Sequence, residues 1–341
     1  MSVDEAGPRR QPTLDTVAAE AGVSRATVSR VINGSTRVSP EVKIAVDRTI
    51  ARLGYVPNRA ARSLVKRRTD SIALVLREPS ATVLADPYLA SIIIATSQAL
   101  IGTGVQLVLV NAENDAEHER LADYVRGGHV DGVLLASMHG NDPLPSILIR
   151  AGVPTVVGGR PDRPVPGLTY VDTDNVGGGQ LATERLITAG RKRIATIAGP
   201  PDMTAAADRL TGYHRALARA GQQAGQVAYG RFTRESGERA MAELLDRAPD
   251  LDGVFAANDM MAIGALRTLR SAGRRVPEDV AVVGYDDIEL ARHTEPALTT
   301  VRQPIAVQAR TMTELLLAQI GGHPPADPVV LPTELVERDS A

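Results

Sequence analysis

The sequence predicts a small all-α head followed by a larger two-lobed α/β body. Between Thr13 and Ile32 two short helical patterns flank a glycine turn. From Ser71 onward, short β-branched runs alternate with helical stretches. Charge supports the division, because residues 1–68 hold 13 Lys and Arg against 6 Asp and Glu, whereas the remainder holds 25 against 34. A basic head on an acidic body indicates nucleic acid at one end only.

The first helix of the head is predicted from its cap and its apolar face. Thr13 can accept an orphan backbone N–H of the first turn through its hydroxyl. Val17, Ala18 and Ala21 then fall on one side of the helix. Gly22 adopts positive φ without strain, so the chain turns sharply after the helix.

The second helix is capped by Ser24 and places Val28, Val31 and Ile32 against the first. Arginines and short polar groups are left outward, and a major groove accepts them because Arg pairs with guanine O6 and N7. The alternative is an ordinary αα-hairpin with solvated arginines. The predicted DNA-contacting residues are Thr13, Ser24, Arg25, Ala26, Thr27, Ser29, Arg30 and Asn33.

A third helix favours a DNA-binding unit over a lone hairpin. Ser39 and Pro40 are start signals, and Gly54 is a stop signal. The apolar stripe between them consists of Val42, Val46, Ile50 and Leu53. We therefore expect a helix-turn-helix domain over residues 12–56, preceded by a disordered lead over residues 1–11.

Residues 57–68 are predicted to be a hinge helix or linker. The segment is too short to form a stable helix alone in water. Its alanines, one leucine and basic end suit a segment that folds on the minor groove, where Leu64 would enter between base steps. A flexible linker with a basic run is the open alternative. Asn58, Ala61 and Leu64 complete the predicted DNA contacts.

The motifs VSRATVSRVIN, YVPNRAARSL and SIALVL together resemble the LacI/GalR family of bacterial transcription regulators. The resemblance implies a type I periplasmic-binding-protein-like effector domain behind the head. It also implies that Arg25, Ala26 and Arg30 read bases. Ala61 and Leu64 would lie at the minor groove, where Leu64 helps to kink the operator.

The body is predicted to contain two parallel sheets joined by right-handed crossovers. The effector and dimerisation domain is expected over residues 69–341. Its first lobe takes about 69–173 and 302–322, and its second about 174–301 and 323–341. The predicted strands are SIALVL, VQLVLV, VDGVLLA, PTVVGG and LTYVDTD in the first lobe, then RIATIAG, QVAYGRF, DGVFAAND and VAVVGYDD in the second.

Ligands of open parallel sheets bind beyond the carboxyl ends of the strands, so polar residues at those ends are candidates. Asn258 and Asp286 each lie at such an end. They can instead be helix caps or solvated turn residues. The resemblance implies that Arg209, Asn258 and Asp286 hydrogen-bond the hydroxyls of a sugar, and that Phe232 stacks on its ring.

Phe232 is also singled out by composition. The chain has two phenylalanines and no tryptophan, yet this one falls in the polar run RFTRES. An aromatic face beside Asp, Asn and Arg binds polyols, because the ring meets the C–H face of the sugar. Tyr88 can close the other side, or lie on a helix surface. Arg160 is a further strand-end candidate.

Several kinds of chemistry are not expected. The chain has no cysteine and its six histidines are scattered, so neither a metal nor another cofactor is expected. Gly177–Gly179 lacks nucleotide-loop spacing and is interpreted as tight packing at a helix start. No GxSxG motif is present, so acyl-transfer chemistry has no nucleophile. No convincing acid–base pair with a place for phosphate lies at a strand end either, so the protein is not expected to be an enzyme. Without a signal peptide or a long apolar run, we expect the bacterial cytoplasm and no membrane.

Together these patterns predict a sequence-specific regulator, expected to act as a repressor. It would bind a palindromic operator as a homodimer and respond to a small effector, expected to be a sugar. The direction of the effector's action is left open. One rival is a transporter-type sugar-binding protein without a regulatory role, and another is an enzyme fused to a DNA-binding head.

Overall fold

The structure, a computed structural model, describes residues 12–32, 37–56, 68–112 and 115–341. Its contacts divide the chain into two units, Met1–Thr69 and Asp70–Ala341. Some of the predicted features lie outside the described residues: the lead over 1–11, Asn33, and the hinge residues Asn58, Ala61 and Leu64.

The first unit contains three helices, α1 (Leu14–Ala21), α2 (Arg25–Ile32) and α3 (Pro40–Leu53). One valine from each helix, Val17, Val28 and Val46, is fully buried, so the helices share one small core. The alternative of an isolated hairpin is therefore wrong.

The predicted start and stop signals of the head are present. The Thr13 hydroxyl accepts from the Thr16 backbone N–H, and the Ser24 hydroxyl accepts from that of Thr27. Gly22 and Gly54 end their helices at φ of +67° and +62°, in the left-handed region that glycine tolerates. Ser39 precedes α3 without a side-chain cap to the backbone.

The first lobe is built on a sheet with strand order β11-β5-β4-β3-β1-β2. Its strands β1 to β5 are all parallel to their neighbours, and Leu74 of β1 pairs with Leu109 and Leu134. The elements of this lobe are β1 (Ser71–Leu76), α4 (Ser80–Ala85), α5 (Pro87–Ala99), β2 (Gln106–Asn111), α6 (Asp115–Arg126), β3 (Gly132–Ala136), α7 (Leu144–Arg150), β4 (Thr155–Gly158), β5 (Thr169–Thr173), α12 (Ile305–Ile320) and β11 (Val329–Leu331).

The second lobe repeats this plan with strand order β12-β10-β9-β8-β6-β7. The central strands β6, β8 and β9 are parallel and buried. A 3₁₀ turn at Glu289–His293 follows β9. The remaining elements are α8 (Asn175–Thr188), β6 (Ile194–Ala198), α9 (Thr204–Arg219), β7 (Val227–Tyr229), α10 (Arg234–Arg247), β8 (Gly253–Ala256), α11 (Asp259–Ser271), β9 (Ala281–Asp286), β10 (Thr299–Arg302) and β12 (Glu334–Val336).

The C-terminal part of the chain differs from the prediction. We had assigned residues 323–341 to the second lobe, but β11 pairs with β5 of the first lobe. The last crossing therefore falls between Leu331 and Glu334. Strand β12 runs antiparallel to β10, so the second sheet is not wholly parallel. The prediction did not include strands β10 to β12, which have three or four residues each.

The chain crosses between the lobes three times, after β5, after β10 and after β11. The first and third crossings touch, because the Asp174 backbone N–H donates to the Leu331 carbonyl at 2.8 Å. Since all three crossings follow carboxyl ends of strands, the cleft between the lobes opens beside them.

Gly177–Gly179 opens α8, where close packing demands small residues. A Cβ at Gly179 would come within 2.2 Å of the Arg209 carbonyl oxygen, and one at Gly178 within 2.4 Å of the Tyr285 hydroxyl. The interpretation as tight packing is confirmed, because α8 approaches α9 closely at these glycines. In the part of the chain that the structure describes, no helix is long and apolar enough to cross a membrane.

Candidate functional site

A cavity of about 800 Å³ lies between the two lobes, at the carboxyl ends of their strands. It is lined by both lobes and by the crossovers. All six residues predicted for the effector line it: Tyr88, Arg160, Arg209, Phe232, Asn258 and Asp286.

Arg209 is the sixth residue of α9 and is buried. Its Nε donates to Asn175 Oδ1 at 2.9 Å and its NH1 donates to the Ala257 carbonyl at 2.7 Å. The guanidinium also lies over the Tyr285 ring, 3.8 Å from its centroid. A buried cation needs such partners, and these leave part of the guanidinium for the cavity.

Asp286 ends β9 with φ at +115°, a conformation that an aspartate rarely adopts. Gln303 Nε2 donates to its Oδ1 at 2.6 Å, and Arg209 NH1 lies 3.7 Å from the same oxygen. Burial raises the pKa of Asp286 to about 7, whereas the nearby Arg209 charge opposes this rise. The carboxylate is therefore a buried acceptor that protonates near neutral pH.

Asp86 is a site residue that sequence reasoning missed. It caps α5, and its Oδ1 accepts from the Tyr88 backbone N–H at 2.8 Å. Burial raises the pKa of Asp86 to about 6. The half-buried Tyr88 lines the same cavity, and burial together with the Asp286 charge raises the pKa of its phenol. Tyr88 thus faces the cleft rather than the outer surface of the helix.

Phe232 lies in a turn with φ at +60°, and its ring packs over Gly199. A Cβ at Gly199 would come within 2.4 Å of the ring. Asn258 holds this turn, because its Nδ2 donates to the Phe232 carbonyl at 2.9 Å. Its Oδ1 accepts from the Met261 backbone N–H at 2.9 Å, so Asn258 is also the cap of α11. The cap alternative for Asn258 is confirmed.

We call the buried group Asn175, Arg209, Asp286 and Gln303 the hinge side of the cleft. Asn175 and Gln303 lie at the first and second crossovers, and each touches one of the two charged groups. Thr173 Oγ1 donates to Gln303 Oε1 at 3.0 Å, which joins the two crossovers. Sequence reasoning missed both amides because isolated Asn and Gln residues belong to no motif.

We call a second, more exposed group of the cleft, Glu78, His139, Arg160, Asp202 and Asp208, the mouth. His139 lies between a carboxylate of each lobe, with Nε2 3.0 Å from Glu78 Oε1 and Nδ1 2.9 Å from Asp202 Oδ2. Two carboxylate acceptors require both ring nitrogens to donate, so this geometry is that of the imidazolium. The hydrogen bond to Glu78, joined by that to Asp202, raises the pKa of His139.

Arg160 joins the lobes at the same mouth. Its NH2 donates to both Asp208 oxygens, at 2.7 and 2.9 Å, and its carbonyl accepts from Thr204 Oγ1 at 2.6 Å. This predicted effector contact is thus engaged with the second lobe. The sequence pattern does not single out His139 among the scattered histidines, because its partners lie 61 and 63 residues away.

In the head, the face of α2 that was predicted to read DNA is open. Arg25, Ala26 and Arg30 are exposed, while Val28 and Val31 on the other side are buried. Arg25 Nε lies 3.7 Å from Asp15 Oδ1, and the Ser24 and Thr27 hydroxyls bond each other at 2.9 Å. The exposed face therefore presents cations and short side chains. Among the described residues, no cluster of His, Asp and Glu is arranged to hold a metal ion.

Comparison with known families matches both units. Residues 13–58 match the model of bacterial regulatory proteins of the lacI family. Residues 162–341 match a periplasmic binding protein-like domain. The chain therefore belongs to the LacI family of bacterial regulatory proteins, and it is a DNA-binding transcriptional regulator with a periplasmic-binding-like effector domain.

Individual relatives cover nearly the whole chain. The HTH-type transcriptional regulator CelR of Thermobifida fusca is 56% identical over 337 residues, 97% of this chain and 99% of that protein. The ribose operon repressor of Escherichia coli K12 is 38% identical over 86% of this chain and 88% of its own length.

Solved structures agree with this assignment. A CelR–cellobiose complex matches with a TM-score of 0.78 and 53% identity, over 97% of this chain and all of that one. The lac repressor dimer bound to operator and the anti-inducer ONPF matches with a TM-score of 0.87 and 28% identity, over 97% and 99%. The predictions of a LacI-family regulator and of no enzymatic role are confirmed. The rival classes are set aside, because these relatives are regulators.

Proposed function

We propose that the cleft binds cellobiose, a β-1,4-linked glucose disaccharide, and that this effector controls operator binding by the head. The observation that carries the proposal is the ring of Phe232 beside Arg209 and Asp286 in a buried cavity. The relatives named above support a sugar, and the CelR–cellobiose complex supports this particular one.

The chemistry of the lining fits a neutral polyol. The Phe232 ring offers an apolar face to sugar C–H groups. Arg209 donates to hydroxyl oxygens, and the Asp286 and Asp86 carboxylates accept from hydroxyl hydrogens. A volume of about 800 Å³ lies within the range of small-molecule pockets, about 300–1,000 Å³. Tyr88 would complete the contact from the first lobe.

Isothermal titration tests the effector. Cellobiose should bind, whereas maltose, which has an α linkage, glucose and ribose should bind at least about tenfold more weakly, which is about 1.4 kcal/mol. Phe232→Leu should lower cellobiose affinity by about tenfold, because it removes the aromatic face. Phe255→Leu is the matched control, since Phe255 is fully buried in the second lobe away from the cavity lining. Equal affinity of the wild type for all four sugars would contradict the proposal.

For the operator, we propose that α2 enters a major groove, with Arg25, Ala26 and Arg30 toward base edges. Asn33, Asn58, Ala61 and Leu64 stay predictions from the sequence. Two heads in a homodimer would bind a two-fold symmetric site, because one short helix makes too few contacts for specificity. Leu64→Ala should reduce operator bending in a phasing assay.

The test of base reading compares operator with random DNA. Operator sites are first selected from a random pool with the purified full chain. Arg30→Ala should then weaken operator binding by roughly 1–3 kcal/mol per head while leaving random-DNA binding nearly unchanged. Arg48→Ala removes the same charge from an exposed position of α3. It should reduce the affinity for operator and for random DNA slightly and by the same factor. An equal loss on both DNAs for Arg30→Ala would exclude its role as a base reader.

The first lobe offers a surface for the second copy. Leu84, Ile94, Ile101 and Leu109 are exposed there, and Leu109 lies on the edge strand β2. An Ile94→Asp variant should shift light-scattering mass from dimer toward monomer, and an unchanged mass would remove this surface from the proposal.

We place the protein in the bacterial cytoplasm, bound to the nucleoid when it occupies its operator, and cell fractionation checks this.

A further inference from the structure

One buried amide, Gln303, connects the cavity to the first and second crossovers. It lies in the second crossover, just after β10, and is 6% exposed. Its Nε2 donates to Asp286 Oδ1 at 2.6 Å, and its Oε1 accepts from Thr173 Oγ1 at 3.0 Å. Thr173 ends β5, immediately before the first crossover.

The two contacts fix the orientation of the amide. A glutamine carboxamide has one donor end and one acceptor end, and a flip would set its oxygen against the Asp286 carboxylate. The ionised Asp286 carboxylate prevents that flip because it only accepts, and the Thr173 hydroxyl then donates to Oε1. A buried amide that lacked either partner would destabilise the fold, because its polar atoms would be desolvated without a hydrogen bond. Asp286 and Thr173 therefore also fix the position of Gln303.

We propose that Gln303 is the positioning residue that holds the Asp286 carboxylate as the acceptor for the effector and fastens it to the first crossover through Thr173. A contact between the effector and Asp286 is then transmitted to the first and second crossovers through the Gln303 side chain. This inference deepens the proposed function, since it concerns the same cleft, but its main test needs no effector.

The charge environment of Asp286 gives the test its direction. Burial and the Asp86 charge favour the neutral form, while Arg209 and the Gln303 hydrogen bond favour the ionised form. Removing the Gln303 donor therefore destabilises the folded protein most where Asp286 is ionised, which is at the alkaline end of its titration. The groups that face or lie near Asp286 are Arg209 of α9, Asp86 just before α5, Tyr88 of α5, Tyr285 of β9, and Asp259 of α11.

The experiment measures melting temperatures of the full chain, without effector, from about pH 6 to about pH 9. Gln303→Met keeps the length of the side chain and removes both hydrogen bonds. The melting temperature of this variant should fall behind that of the wild type by about 2–4 °C more at the alkaline end than at the acid end. In an Asp286→Asn background the same substitution should lower the melting temperature by the same amount at every pH.

Gln308→Met is the matched control. Gln308 is another buried glutamine of the cavity lining, but it donates to the Val171 carbonyl and contacts no carboxylate. Its substitution should lower the melting temperature equally across the pH range. A pH-independent loss for Gln303→Met, or the same widening for Gln308→Met, would overturn the proposal.

A second arm uses cellobiose as the probe. In the wild type, affinity should fall as the pH drops through the titration of Asp286, and Gln303→Met should move that fall to higher pH. An unshifted fall contradicts the positioning role. If the wild type does not bind cellobiose at all, the proposed effector is wrong, and the melting experiment alone then decides the role of Gln303.

Discussion

The hinge side and the mouth of the cleft both join the lobes, yet they are built differently. On the hinge side the charged groups are Arg209 and Asp286, each 6% exposed, and uncharged amides hold them. At the mouth the groups are charged pairs in partial contact with water. His139 is 27% exposed, Asp202 52% and Arg160 41%.

The difference has energetic consequences. Buried hydrogen bonds to charged groups are strong, and breaking one leaves a partner stranded away from water. Half-exposed ion pairs are worth about 0–1 kcal/mol each and weaken with salt. We infer that the hinge side sets the geometry for the effector, whereas the mouth supplies contacts that can open and close. Three substitutions compare the two regions.

The largest effect is expected at the hinge side. Arg209→Met removes the proposed donor to the effector and takes the Arg209 hydrogen bonds from Asn175 Oδ1 and the Ala257 carbonyl. Cellobiose affinity measured by titration should fall by at least about a hundredfold, which corresponds to about 2.7 kcal/mol. Arg215→Met, on the exposed face of the same helix, should leave affinity unchanged. A comparable loss in both variants would mean that α9 itself was disturbed.

A smaller and pH-dependent effect is expected at His139. Because the hydrogen bonds to Glu78 and Asp202 raise its pKa, the contact is fully present below the ordinary value of 6.5 and is lost as pH rises through the raised pKa. Effector affinity should therefore decline on the alkaline side, opposite to the acid-side decline from Asp286.

The matching variant is His139→Gln, which cannot carry the charge. It should abolish the alkaline decline and lower affinity by about fivefold at pH 6.5, which is about 1 kcal/mol and matches the upper end for partly exposed ion pairs. His129→Gln, an exposed histidine of the same lobe, should retain the wild-type profile. An alkaline decline that persists in His139→Gln would show that another group causes it.

The smallest effect is expected at Arg160. Its ion pair with Asp208 is half-exposed, so Arg160→Gln should weaken cellobiose binding only about two- to fivefold. The loss should nearly vanish at high salt, where the wild-type pair is screened. Arg163→Gln, an exposed arginine of the same loop, is the control. A salt-independent loss above about tenfold would instead assign Arg160 to direct effector contact.

Local patterns were enough to predict the head. Gly22 and Gly54 adopt the expected left-handed conformation, and Thr13 and Ser24 cap as predicted, because caps and turns depend on residues only a few positions apart. Most strands of the body were predicted for the same reason. The strand-end rule and the family motifs also placed Arg209, Phe232 and Asp286 at one cavity.

Contacts between distant residues were decided by the tertiary structure. Strand β11 pairs with β5 of the first sheet. Local patterns could not predict this pairing, because the two strands lie about 160 residues apart in the chain. The hydrogen bonds of Gln303 come from Thr173 and Asp286, and those to Glu78 and Asp202 raise the pKa of His139. An amide or an imidazole has no fixed role in a sequence. The donors, acceptors and charges that folding brings within about 3 Å determine what each of them does.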